Sequence, residues 1–383
     1  MNEGSDFRAE SYSRSTIRIV MKYHIYVLSV LVLIFAGCCN KKTHVKDEKA
    51  SSEKALPIAN LIDPAEGKVF RFGDSVQIKL RIDKDSLPCI DSAAVFTGSN
   101  DRQAFYTDYE NMHWRSGKAG VGKNIVKVCL FIKGRKETHS VNLTLLSDIV
   151  PAVYNYRIIQ QYPHDEDAFT QGLFYDNGML YESTGLEGKS SLRIVTIKTG
   201  IPVRRIDLEK QFFAEGIALF RDQIYQITYK SQVGFIYDKE TLSLIRRFDY
   251  PIKEGWGLTA GRNQLIMSDG SAQLYFIEPE YFTQINQIEV YDNKGMVPYL
   301  NELEYVNDKI LANIWFKSII VVIDPETGRV TGHIDLGKLI PEEFKENSDR
   351  VLNGIACNPD NGHIYVTGKN WPVLYELEIF PPL

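Results

Sequence analysis

Five short segments recur in the second half of the chain at nearly constant spacing: Gln171-Gly172-Leu173, Glu215-Gly216-Ile217, Trp256-Gly257-Leu258, Asn301-Glu302-Leu303 and Asn353-Gly354-Ile355. Their middle residues lie 44, 41, 45 and 52 positions apart. A second apolar stretch follows each one: Met179-Leu180-Tyr181, Gln223-Ile224-Tyr225, Gln264-Leu265-Ile266, Lys309-Ile310-Leu311 and His363-Ile364-Tyr365. In most copies a third stretch runs into a turn such as Ile197-Lys198-Thr199-Gly200, and a fourth follows, as in Val203–Leu208 and Val330–Leu336. A period of about 40–50 residues with four short strands per unit is the pattern of a propeller blade. The chain is therefore expected to be all-β, with a five-bladed β-propeller over residues 153–383. Helix-length periodic segments are missing between the strands, which excludes a (β/α)8 barrel.

Upstream of the repeat, residues 57–150 hold short alternating runs such as Val76–Ile82, Ala93–Phe96, Ile125–Phe131 and Val141–Leu146, separated by turn residues. Such a segment predicts a small immunoglobulin-like β-sandwich, serving as a spacer or docking module. Cys89 and Cys129 fall inside it; a bridge and two free thiols both remain open. His113 and His139 stand apart and are expected to face solvent. The first 38 residues read as an address. Lys22 precedes an apolar run from Ile25 to Gly37 that stops at Cys38. As a helix this run rises only about 20 Å, short of the ~30 Å of a bilayer core. A basic start, a short apolar centre and small residues before the stop fit an export signal. Phe35-Ala36-Gly37-Cys38 resembles a bacterial lipobox, with Phe35 in place of the usual Leu, so Cys38 is the expected lipidation site and membrane anchor. Plain secretion and a short anchor helix are the alternatives, and Met21 is a second candidate start. Residues 39–56 are polar and charged and read as a tether. The expected location is the cell envelope, periplasmic or cell-surface, and the expected state is a monomer.

Blades radiate from an axis, so equivalent positions of successive repeats form a ring around a central channel. The residues before the repeated glycine position are Gln171, Glu215, Trp256, Asn301 and Asn353. Four of the five are polar on otherwise apolar strands, and a buried polar group left unpaired costs about 1–3 kcal/mol. Such a ring either satisfies itself around a wet channel or recognises a small polar group at the channel mouth. A second ring brings Tyr229, Trp315 and Lys369, with Trp371 just beyond. Phe169 and Phe213 each stand two residues before a member of the first ring and share its strand face. Aromatic walls around one carboxyl, three amides and a lysine favour a pocket over blade packing. With 44 basic against 49 acidic residues, no excess of positive charge is available to hold a nucleic-acid backbone.

These motifs resemble the glutaminyl-peptide cyclotransferases of the plant and bacterial type, also called glutamine cyclotransferases. The resemblance runs from about Tyr154 to the end. It rests on Tyr162-Pro163-His164-Asp165 leading to Ala168-Phe169-Thr170-Gln171-Gly172-Leu173, on Ser183-Thr184-Gly185-Leu186 and on Phe213-Ala214-Glu215-Gly216-Ile217. Asn301-Glu302-Leu303-Glu304, Ala312-Asn313-Ile314-Trp315, Val351–Ala356 and Val366-Thr367-Gly368-Lys369 with Trp371-Pro372 complete it. Tyr229 departs from the Trp usual there. The resemblance implies a five-bladed propeller that converts the N-terminal glutamine of peptides or proteins to pyroglutamate with release of ammonia. It also assigns Glu215 as the acid/base; for the reaction so implied, Lys369, facing the oxyanion, and Asn301, holding the substrate amide, are the expected catalytic partners. Phe169, Gln171, Phe213, Trp256, Trp315, Tyr229, Asn353 and Trp371 would then bind substrate.

No cofactor is expected, and no metal, because the seven His are scattered and no two lie at ligand spacing in the propeller. His164 reads as a loop histidine that holds a turn. A non-catalytic, surface-anchored propeller that binds peptides or glycans is the alternative function. A metal-dependent lactonase is disfavoured, since Trp256 interrupts the ring of donors.

Overall fold

The structure is a computed structural model that describes residues 56–98, 101–344, 347 and 349–381. The expected signal segment with Cys38, and the tether up to residue 55, lie outside the described residues. Among the described residues all regular structure is β-strand apart from four short 3-10 turns.

Two sheets form the first part. Ala59–Asp63, Ser75–Ile82 and Met112–Arg115 make a three-stranded sheet. Val69–Arg71, Arg135–Leu146, Gly122–Ile132, Ile90–Thr97 and Asp101–Tyr106 make a five-stranded one. Val76, Ile78 and Trp114 from the first sheet meet Val95, Val128 and Leu143 from the second in one buried core. The alternation seen in the sequence reflects this single covered face. Cys89 and Cys129 are free thiols. His139 is not simply solvent-facing: it is half-buried against Glu137, 2.9 Å away, whose carboxylate also accepts the N–H groups of Ile58 and Ala59.

The remainder consists of four-stranded antiparallel sheets. Those starting at Thr170, Ala214 and Leu258 are separate. The sheets starting at Leu300 and Leu352 are joined by one long strand, Ala152–Pro163. This strand runs antiparallel to Val373–Phe380 and so supplies the fourth strand of the last sheet. Its start pairs in parallel with Val330–Asp335 of the sheet before. This second part thus closes on itself with its own first and last strands side by side. The first strands, Thr170–Asp176, Ala214–Phe220, Leu258–Ala260, Leu300–Val306 and Leu352–Cys357, contact one another in a complete cycle.

Burial follows that order. The first three strands are covered on both faces, whereas outer strands such as Ile201–Asp207 and Leu244–Asp249 are largely exposed. This explains why inner strands read as continuous apolar runs rather than alternating ones. The repeated glycines have a definite cause. A Cβ at Gly172, Gly216 or Gly257 would lie 2.6, 2.3 or 2.1 Å from backbone atoms of the next first strand. Only a residue without a side chain lets neighbouring strands approach this closely. The fourth repeat carries Glu302 at that position and turns the exception to use. Its carboxyl reaches into the space and accepts the N–H groups of Leu173 (3.2 Å) and Ile355 (2.8 Å), one from each of two other sheets.

The two parts meet directly within the compact unit Pro57–Leu383. Val121 N–H donates to the Thr327 carbonyl, and Lys123 N–H to the Glu289 carboxylate. Arg329 pairs with Asp148 and lies over the Phe72 ring.

Candidate active site

Ring position alone does not make a side chain point into a cavity; a local break in pairing does. The register of the first strands shifts between Thr170 and Gly172, Ala214 and Ile217, Leu300 and Leu303, and Leu352 and Ile355. Each shift encloses one of the polar residues Gln171, Glu215, Asn301 and Asn353. A bulge bends the strand and re-aims the extra side chain, which is how four polar groups leave apolar strands at one end of the cycle. Trp256 sits just ahead of its strand, fixed by its N–H to Ser268 O and by its carbonyl, which accepts Gly216 N–H at 2.7 Å.

These residues surround a cavity of about 160 Å³ lined by Phe169, Gln171, Phe213, Glu215, Tyr229, Trp256, Asn301, Trp315 and Lys369. Larger surface hollows exist, but their linings are mainly polar and charged, with Arg262, Asp308 and Glu326 in one, Lys123, Asn286 and Glu289 in another, and Arg221, Arg246 and Glu280 in a third. Sites that enclose a whole small ligand span about 300–1,000 Å³. This one suits a single residue. Its wall is a continuous arc of rings: Phe169 edge-on to Phe213 (6.2 Å), then Tyr229 (5.8 Å), Trp256 (6.5 Å) and Trp315 (5.2 Å). Lys369 closes the arc, its ammonium 4.9 Å above the Phe169 ring.

Inside the arc, Gln171 Nε2 donates to Glu215 Oε1 at 3.2 Å, while Asn353 Nδ2 donates to Gln171 Oε1 and to the Thr170 carbonyl. Asn353 therefore does not reach the cavity; it orients Gln171 from behind. Burial pushes the Glu215 carboxyl well above the usual carboxylate range. The nearby Lys369 charge opposes that shift and Glu254 adds to it. Burial also draws the Lys369 ammonium below its ordinary value, partly offset by Glu215. Asn301 lines the cavity, and its Oδ1 is buried without a hydrogen-bond partner among the described residues, as is the Asn353 Oδ1 behind it.

Trp371, expected to bind substrate, does not line the cavity. It is fully buried, packed on Gly368, with its indole N–H donated to the Arg350 carbonyl, and it belongs to the hydrophobic core between sheets. Its place two residues after Lys369 follows a turn through Asn370 at φ +57°, which directs it away from the cavity.

His164 does hold a turn, but as part of a buried charge cluster. Its Nε2 is 3.0 Å from Glu182 and its Nδ1 2.8 Å from the Trp371 carbonyl; Glu182 also accepts from Thr170 and faces Arg193, which pairs with Asp165. Burial works against the imidazolium, yet Glu182 outweighs it and lifts the His164 pKa. Both ring nitrogens are thus engaged. Among the described residues no three His, Cys, Asp or Glu side chains converge as a metal site.

Sequence reasoning overlooked three residues that the fold brings to the rim. Glu254 and Tyr299 occupy the same repeat position as Phe169 and Phe213, two before the ring residue, and that spacing was the signal for them. Phe316 follows Trp315 directly and stacks on it at 3.8 Å.

The sequence model of the glutamine cyclotransferase family matches residues 129–379. The match begins earlier than Tyr154, within the last strands of the first part. A glutaminyl-peptide cyclotransferase of Arabidopsis thaliana is 38% identical over 235 residues, covering 61% of this chain and 73% of the relative. The crystal structure of Myxococcus xanthus glutaminyl cyclase superimposes with a TM-score of 0.57 at 37% identity, over 60% of this chain and 99% of that one. The chain belongs to the glutamine cyclotransferase family of enzymes.

Proposed function

We propose that this protein is a glutaminyl-peptide cyclotransferase that acts without a metal on peptides or proteins beginning with glutamine. The observation carrying this reading is one buried carboxyl, Glu215, beside one buried ammonium, Lys369, in an aromatic cavity of single-residue size. The reaction is internal to the substrate. Its α-amine, with an ordinary pKa near 7.7–8.0, attacks the side-chain carbonyl carbon, forming the ring C–N bond and a tetrahedral oxyanion. Glu215 takes the amine proton and delivers it to the departing nitrogen; the old C–N bond breaks and ammonia leaves. A carboxyl lifted by burial suits both halves of that relay at neutral pH. Lys369 faces the oxyanion, where one preorganised donor is commonly worth about 3–4 kcal/mol. Asn301 Oδ1 accepts from the substrate carboxamide or amine, Gln171 orients Glu215, and the aromatic arc excludes water. The engagement of both His164 nitrogens supports a mechanism without metal.

The closed cycle of five first strands, each leading a four-stranded sheet, supports a five-bladed propeller over 153–383. The facing sheets of 57–150 support an immunoglobulin-like sandwich before it. The test is ammonia release from a glutamine-initiated peptide and from its N-acetylated form. The first should yield ammonia and lose that mass; the second, with its amine blocked, should not. Binding of the free peptide without ammonia release would instead favour a non-catalytic peptide-binding role.

For location we propose export and lipid anchoring through Cys38, supported by the basic start, the short apolar run and the small residues before the cysteine. Cys38→Ala should move the protein from the membrane fraction to the soluble one in fractionated cells. An unchanged membrane fraction would point to a retained anchor helix.

A further inference from the structure

The cavity has room for one residue, so the rest of a peptide must leave across its rim. That rim has two unlike sides. On one, Lys230 lies 3.4 Å from Glu254 and 4.5 Å above the Tyr229 ring, while Glu254 also accepts the Trp256 indole N–H. These charges are already engaged with one another. On the other side, Trp315 of the cavity wall continues outward into Phe316, stacked on it at 3.8 Å, and Tyr299, 6.4 Å away. Both outer rings are about half exposed, 54% and 50%. Their backbones are left-handed, at φ +62° and +66°, a conformation that large aromatic residues seldom adopt. The main-chain bond from Trp315 N–H to the Tyr299 carbonyl holds the two segments together. The repeat adds an independent argument. Tyr299 is the counterpart of Phe169 and Phe213, whose rings face the cavity; in this sheet the ring lies at the rim in water instead.

We propose that Tyr299 and Phe316 form a seat for the side chain of the second substrate residue, and that this enzyme favours glutaminyl peptides whose second residue is aromatic or large and apolar. The inference rests on the cyclotransferase reading. The seat is continuous with the cavity wall at Trp315, so a chain leaving the cavity on that side meets it first. It is also the side that gains by being covered, since its rings lose contact with water, whereas the Lys230–Glu254 side would have to give up existing pairing.

The test compares kcat/KM for peptides beginning Gln-Phe, Gln-Leu, Gln-Gly and Gln-Asp, in the wild type and in Tyr299→Asn and Phe316→Asn. Asparagine tolerates the left-handed backbone, so these variants remove the ring without adding strain. An aromatic contact of this kind gives about a three- to tenfold preference for Gln-Phe over Gln-Gly, and each variant should bring that ratio towards one. The ratio is internal to each preparation, so partial misfolding does not disturb it. Equal rates for Gln-Phe and Gln-Gly in the wild type, an unchanged ratio in both variants, or a preference for Gln-Asp would each overturn the seat while leaving cyclisation intact. Failure to cyclise any of the four peptides would overturn the cyclotransferase reading itself.

Discussion

Glu215→Gln should lower kcat by about 10²–10⁴-fold while changing KM little, because a positioned acid–base group contributes on that scale. Glutamine keeps the length of the side chain and can still accept from Gln171, so cavity shape and orientation survive. What it cannot do is carry a proton at neutral pH. The pH profile of the residual activity supplies a second reading of the same variant. If Glu215 is the relay, wild-type turnover should follow a carboxyl that burial has lifted well above its ordinary range; in Glu215→Gln only the substrate amine, near 7.7–8.0, should remain. Lys369→Ala should also reduce turnover, with KM rising if the ammonium helps to hold the carboxamide. Near-normal kcat in Glu215→Gln would place the proton relay elsewhere.

Glu302→Ala should destabilise the protein by roughly 4 kcal/mol, seen as a lower urea midpoint. The side chain is fully buried and both of its oxygens accept backbone N–H groups, from Leu173 and Ile355. Removing it leaves two buried donors unpaired, at about 1–3 kcal/mol each, and opens a cavity between first strands. Burial and the neighbouring Glu304 hold the Glu302 carboxyl well above its usual range, and Glu304 itself is pushed up to about 8 while accepting Cys357 N–H. Glu302 and Glu304, carboxylates on another first strand than Glu215, are thus parts of the framework and do not line the cavity. A Glu302→Ala protein as stable as the wild type would show that the sheets do not depend on this strut.

The repeat made the five first strands legible, since glycine recurs at Gly172, Gly216 and Gly257, where neighbouring first strands come within a side chain's width. It also pointed to all nine residues that line the cavity, because equivalent positions of a closed cycle share a radius. The closing strand was not legible. Ala152–Pro163 precedes the first of the five repeated segments, yet it pairs with Val373–Phe380 at the far end of the chain; local patterning carries no information on such a partner. Trp371 failed for a related reason. Proximity in sequence to Lys369 suggested the cavity, but the left-handed turn at Asn370 reverses the direction of the next side chain. Glu254, Tyr299 and Phe316 were missed because apolar or charged residues at strand ends are common, and only their position around the cavity separates them from ordinary turn residues. The role of Glu302 was hidden in the same way, as a departure from the repeat whose use depends on strands of two other sheets.

On the proposed mechanism a carboxyl of this chain, and no metal ion, performs the proton transfer in glutamine cyclisation. Mass spectrometry of a glutamine-initiated peptide incubated with the enzyme in excess chelator tests it most directly, followed by a repeat after adding back zinc. The account predicts loss of one ammonia from the peptide at the same rate under both conditions, and a rate lower by at least 10²-fold for chelator-treated Glu215→Gln. Activity that disappears in chelator and returns with zinc would contradict it.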